Sequence, residues 1–218
     1  RAMLEQARSA YVLYGIEPGL DFADQAQALK ALKGAQVVAF SQFACESTRA
    51  VADVILPIGA LPEIDATLTN LDGREQHAVA GARLPGEARP GWRVLRSLGA
   101  GLGLEGFGFV DIGGLRAGIQ PVPRPLAEGQ GAAAVSDHGG GLELASAPAI
   151  YRSDAVVRRA AALQAHPLTL GPQITVHPDD AQRIGLADQA MARVSNHAGT
   201  ATIKVSVSAS VAPGAAWI

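Results

Sequence analysis

Three short runs constrain the fold more than anything else in the chain: AYVLYGI at 10–16, AQVVAF at 35–40 and DVILPI at 53–58. Each is apolar almost without interruption, and segments with helical character separate them. A strand buried on one face alternates apolar and polar residues, whereas a strand covered on both faces has no polar side. Strand, helix, strand, helix, strand therefore predicts a parallel sheet wound by helices on both faces. The first connecting segment, DFADQAQALKALKG (21–34), places Ala26, Leu29 and Leu32 on one face. It has acids at its start, Lys30 and Lys33 in its last turn, and Gly34 where a left-handed stop is expected.

The strand ending at Pro57 runs into LPEIDATLTNLDGREQ (61–76), which is polar and tightly turned. Asp72-Gly73 between TLTNL and REQHAV predicts a β-hairpin with a two-residue turn. The same segment leaves the carboxyl end of a parallel strand, where open α/β sheets bind ligands. Asn70 can donate and accept, and Arg74 offers a planar fork for carboxylate or phosphate. Both readings stay open, since a hairpin can present Asn and Arg to a ligand or a partner.

Further along, GEARPGWRVLRSLGAGLG (86–103) predicts a helix that starts at Pro90 and ends at Gly99, with Val94, Leu95 and Leu98 inward. Residues 105–150 are rich in Gly, Pro and Ala and lack periodicity, which predicts an extended connection. SDAVVRRAAALQA (153–165) predicts a helix capped by Ser153 or Asp154. The last part alternates: QITVHP, QAMARVSN, TATIKVSVS and GAAWI are half-buried strands, and PDDAQRIG is one short helix closed by Gly185. Short strands around one helix predict a small β-barrel. The expected division is 1–104, 105–150 and 151–218.

Composition limits the chemistry. With 218 residues, 48% hydrophobic and 17% charged, the chain can bury a core. A net charge of −2 gives no footprint for nucleic acid, and no apolar run approaches a membrane span. A lone cysteine, Cys45, cannot supply the four thiolates of an iron–sulfur cluster. Its expected role is a small buried thiol without a depressed pKa. The histidines at 77, 138, 166, 177 and 197 have no metal-ligand spacing. His177 suits a helix entry. Ser136-Asp137-His138 is consecutive, whereas a catalytic triad converges from separate segments. Gly101, Gly103 and Gly106 spell GxGxxG but follow a helix rather than a strand, which predicts a helix exit instead of a dinucleotide site. Arg1 is not a methionine and the helical RAMLEQARSA starts without a cap, so a piece of a longer protein is expected.

AFSQFACESTRA and ADVILPIGALPEIDATLTNLDGREQ, followed by GEARPGWRVLRSLGAGLGLEGF, resemble the molybdopterin oxidoreductase family. ITVHPDDAQRIGLADQAMARVSNHAGTATIKVSVSASVAPGAAWI resembles that family's C-terminal molybdopterin-dinucleotide-binding module. The resemblance implies a partial doubly wound α/β sheet followed by a small double-psi-type β-barrel. It implies pterin-facing positions at Glu63, Thr67, Asn70, Gly73 and Arg74, with Ser195 and Gly199 in the barrel. Within the family, EAR..W and YRSDAVVRRAAALQAHP are most similar to the large iron–sulfur subunit of respiratory NADH-quinone oxidoreductase, complex I.

That branch implies electron transfer from NADH through flavin and 4Fe-4S and 2Fe-2S clusters to quinone, with the clusters outside this chain. It implies peripheral-arm subunits as partners and a peripheral place on the cytoplasmic side of a bacterial inner membrane. The family's Gly-Thr is Ala66-Thr67 here, and its Gly-Asp is Gln189-Ala190. Those departures imply vestigial pterin positions, no catalytic residue, no metal ligand and no cofactor in this chain. The alternative is a true molybdopterin enzyme, such as a formate dehydrogenase. A plain ligand-binding or interaction module is the third possibility.

Overall fold

A computed structural model describes residues 2–119, 141–147, 149–169, 172–196 and 199–218. The chain divides into two compact units, residues 1–123 and 124–218.

In the first unit a short helix α1 (Ala2–Glu5) precedes β1 (Ala10–Tyr14), α2 (Gln25–Lys33), β2 (Gln36–Ser41), α3 (Glu46–Arg49) and β3 (Val54–Pro57). The strands form a parallel sheet in the order β1-β2-β3. Tyr11 lies opposite Val37 and Leu13 opposite Ala39, so these four share one face with Ile55, opposite Ala39 on β3. There they pack with Leu32 of α2 and Val51. α2 forms because Asp24 caps it, its carboxylate accepting from the Gln27 amide at 2.8 Å, and because Ala28 and Leu32 return on one face. Its end differs from expectation. Gly34 has φ −93°, not the left-handed value, because the chain passes at once into β2, where the Gln36 amide bonds the Ser9 carbonyl.

The other sheet face carries Val12, Tyr14, Phe40 and Val54. Phe40 is buried, but Val12 is 65% exposed, so helical cover on this face is confined to one end. That end is the start of α4 (Gly91–Gly101), reached through the hairpin β4 (Ala66–Thr69) and β5 (Glu75–Ala78). A Cβ on Gly91 would lie 1.8 Å from the Tyr14 hydroxyl oxygen. α4 runs two residues past the expected Gly99, because Gly99 is a contact residue: a Cβ there would meet the Phe107 ring at 2.5 Å. Gly103 and Gly106, both at positive φ, turn the chain away from the helix, so the GxGxxG run is a helix exit. The segment expected to be a connection contributes a helix, α5 (Ile112–Gly118), whose Asp111 accepts from the Gly114 amide at 2.7 Å. It also contributes β6 (Glu143–Ala145) to the second unit.

Between 150 and 169 the expected long helix is broken into 3-10 turns and a single α turn, α6 (Ala161–Gln164). Side chains bond carbonyls within this stretch. Arg159 donates to the Ala155 carbonyl at 2.8 Å, and Gln164 donates to the carbonyls of Tyr151 and Val157. Asp154 does accept from the Val156 and Val157 amides, but it closes only that first turn.

β7 (Gln173–Val176), α7 (Pro178–Ile184), β8 (Met191–Asn196), β9 (Gly199–Val207) and β10 (Ala215–Trp217) complete the second unit. Its sheet, in the order β6-β10-β7-β9-β8, mixes parallel and antiparallel pairs and curls into a half-barrel. Val176 and Val205 are its driest side chains, packed with Ile174, Ala181, Ile203 and Ala216. α7 is the helix its sequence signals describe: His177 Nδ1 accepts from the Asp179 amide, and Gly185 stops it at φ 72°.

Candidate functional site

Beyond the carboxyl ends of β2 and β3 lies a cavity of about 320 Å³, lined among others by Gln42, Phe43, Pro57, Glu63 and Glu87. This is where a parallel sheet offers a ligand crevice. Gly59 lets the chain turn into it, since a Cβ there would sit 2.4 Å from Leu84 and 2.7 Å from Ile64. Glu63 is the one pterin-implied position of the first unit that lines this cavity, and its carboxylate accepts from the Ala60 amide at 2.8 Å. That bond closes the turn after β3.

Thr67, Asn70, Gly73 and Arg74 sit on the hairpin, which is exposed along both strands apart from the half-buried Ala66. Asp65 accepts from the Ala80 amide at 2.9 Å, at the hairpin's open end. The turn is longer than the two residues expected. Thr69 pairs with Glu75, the Gly73 amide bonds the Asn70 carbonyl, and the Asn70 side chain accepts from the Arg74 amide at 2.8 Å. Gly73 has φ 77° and Asp72 does not share the positive sign, so a bulged turn with glycine in the left-handed position replaces the two-residue type. Asn70's side-chain oxygen makes the difference, because it can close the loop from the side. Arg74 is left exposed at the tip.

Two partners of Thr67 are not visible in the sequence. Its hydroxyl meets His77 Nδ1 at 3.0 Å and accepts from Arg116 Nε at 2.9 Å, while Arg116 also donates to the Ala66 carbonyl. The available signal for Arg116 is the Asp111 cap, which starts the helix that carries it. Glu63, Thr67 and Asn70 thus use polar atoms within the chain itself, and a Cβ on Gly73 would meet nothing within 4 Å. The hairpin is closed by its own side chains and strapped by Arg116 of α5.

Cys45 differs from expectation. It is half-buried, and burial pushes its thiol up. Hydrogen bonds with the Ser47 and Thr48 hydroxyls, at 3.3 and 3.1 Å, outweigh that and hold it below the ordinary thiol value. Among the described residues no three His, Cys, Asp or Glu side chains gather as a metal site. His166 stacks edge-on with Tyr151 at 5.3 Å. His138, with its Ser-Asp neighbours, and His197 lie outside the described residues.

In the second unit Ser195 lines an apolar cavity of about 330 Å³ with Leu142, Leu144, Ile184 and Leu186. Gly199 opens β9, paired with Asn196. Gln189 has φ 64°, the only non-glycine residue at positive φ among those described. It stands where the resemblance aligns a glycine, which gives that alignment a conformational reason.

A family model described as Molybdopterin oxidoreductase matches residues 2–100, and one described as Molydopterin dinucleotide binding domain matches residues 143–218. The alpha subunit of F420-dependent formate dehydrogenase 2 from Methanococcus maripaludis is 31% identical over 99 residues, covering 45% of this chain and 14% of that protein. The mitochondrial NADH-ubiquinone oxidoreductase 78 kDa subunit of Neurospora crassa is 38% identical over 66 residues, covering 30% of this chain and 9% of that one. The chain therefore matches only a small part of the length of these curated relatives. Acetylene hydratase from Pelobacter acetylenicus shares the fold with a TM-score of 0.66 at 17% identity, over 100% of this chain and 38% of that one.

Proposed function

Taking as premise that the chain is built from domains of the molybdopterin oxidoreductase family, we propose that it is a non-catalytic structural part of the large iron–sulfur subunit of a respiratory NADH-quinone oxidoreductase. In this reading electrons pass through flavin and iron–sulfur clusters held elsewhere, and these domains brace the cluster-bearing region among peripheral-arm subunits. The position is peripheral, at the cytoplasmic face of the membrane. Among the described residues no helix is long and apolar enough to cross one.

The observation that carries the reading is the internal use of the hairpin's polar groups. Thr67 is held by His77 and Arg116, and Asn70 closes its own turn. Residues kept from a binding site but turned to structural use would do this. A catalytic subunit would instead keep such groups free for a ligand. The second reading, a molybdopterin-dependent enzyme such as a formate dehydrogenase, is favoured by the longer match to the Methanococcus maripaludis protein.

Metal analysis of the full-length protein separates them. The proposal expects iron and acid-labile sulfide with molybdenum and tungsten far below stoichiometry. One molybdenum per chain, with pterin released on denaturation, would replace it by the second reading.

A further inference from the structure

One side of α4 and the chain just before it gather positive charge around a second cavity of the first unit, about 400 Å³ in volume. Arg89, Arg93 and Arg96 line it, with Val94, Ser97 and Val110. Arg93 and Arg96, three residues apart on α4, share one side of the helix, and Arg89 joins them from the bridge to Ile58 just before it, so like charges oppose one another at the cavity. Guanidinium cannot discharge by losing a proton, so the cavity stays positive at any working pH. None of the three takes part in an ion pair among the described residues. Arg89 donates to the Ala88 carbonyl, and Arg93 lies 5.1 Å over the Trp92 ring. Arg96 is the telling member, because its Nε is buried and has no acceptor. The described residues offer this guanidinium no hydrogen-bond acceptor, so an anion in the cavity would meet it through its terminal nitrogens rather than through the enclosed Nε.

We infer that this cavity binds a phosphate-class oxyanion, as inorganic phosphate, pyrophosphate or the phosphoryl end of a small metabolite. A tetrahedral phosphoryl group presents several acceptor oxygens and up to two charges, enough to engage more than one fork at once. A carboxylate offers two oxygens and one charge, which matches one fork. Ser97 adds a hydroxyl, while Val94 and Val110 supply an apolar wall for the body of a small ligand. The site is separate from the cavity that contains Glu63, with which it shares no lining residue.

The test is calorimetric titration of the full-length protein with pyrophosphate, with potassium chloride holding the ionic strength fixed. Parallel titrations use citrate, a carboxylate polyanion. The wild type should bind pyrophosphate saturably, and Arg96→Gln should weaken it by about tenfold or more, since both fork and charge are lost. Arg96→Lys keeps the charge without the fork and should fall between them. If Arg96→Gln does not fold, Arg93→Gln carries the same expectation, because its guanidinium is exposed. Equal binding by wild type and variants, or none by wild type, overturns the site. Citrate binding as tightly as pyrophosphate overturns its assignment to phosphate.

Discussion

β2 and β9 each lie between two neighbouring strands, yet they are buried in different ways. In β2, Val37, Ala39 and Ser41 are buried on the α2 side and Phe40 on the other, where Val38 is half-buried and Gln36 exposed, so the strand is dry on both sides at its carboxyl end. In β9, Ile203 and Val205 are buried and Lys204 between them is exposed. A parallel sheet needs cover on two faces, and the first unit supplies it with α2 on one side and, at one end of the other, the start of α4. A curled sheet covers its own inner face and leaves the outer one to water. The same apolar fraction can therefore serve two architectures, and the period of the sequence tells which.

The sharpest way to break this comparison is to open each core at its driest point. Phe40→Ala removes a large, fully buried ring from the dry end of its strand and should cost about 3–5 kcal/mol. Val205→Ala removes two methyl groups from a one-sided core and should cost about 2 kcal/mol. Hydrogen exchange of the full-length protein, resolved by peptide, checks both. Phe40→Ala should loosen amides in 36–41, and Val205→Ala those in 191–207. Equal losses would mean that two-sided burial adds nothing.

A smaller contrast concerns the glycines that end α2 and α7. Gly185 is at φ 72° in open space, so Gly185→Ala should cost about 1–2 kcal/mol from backbone conformation alone. Gly34 has φ −93° and room for a methyl group, its nearest neighbour 3.8 Å away. Gly34→Ala should therefore raise stability by about 0.4–1 kcal/mol. Denaturant melts of both variants would show opposite signs. A loss in both would mean that the helix end of the first unit also needs glycine for a reason other than its φ.

The gentlest effect is a response to acid in the second unit. The Asp180 carboxyl lies below the usual aspartate range because Arg183 donates to it at 2.6 Å and the Gly214 amide donates to its other oxygen, also at 2.6 Å. The folded state thus binds fewer protons, and this contribution is complete above the ordinary aspartate value. It is lost as pH falls through the depressed folded value. Asp180→Asn should lower stability at neutral pH and flatten the acid side of the pH profile. An unchanged acid limb would mean that the link between α7 and the turn before β10 contributes nothing.

The sheet strands, α7, its His177 cap and its Gly185 stop are legible in the sequence because each rests on a local pattern a few residues long. The break in the helix expected over 153–165 is not. The propensity there is real, but Arg159 and Gln164 capture carbonyls from outside the helical ladder, and sequence spacing does not reveal that competition. At the candidate site, Glu63 is legible because its cavity lies where a parallel strand ends. The hairpin is legible too, but not the length of its turn, which depends on Asn70 folding back on Arg74. Arg116, which reaches Thr67 from 49 positions away, belongs to tertiary structure alone. The lowered thiol of Cys45 escapes the sequence because it is tuned by Ser47 and Thr48, whose hydroxyl directions residue order does not carry.

Gly91 lacks the methyl group that would collide with the Tyr14 phenol, and so the first turn of α4 rests directly on the sheet. This one missing carbon indexes the whole helix, since every later residue on it is counted from that seat. The guanidiniums of Arg93 and Arg96 are therefore aimed by a tyrosine that neither need touch. A larger residue at 91 would shift them together, as spokes move when the hub is shimmed.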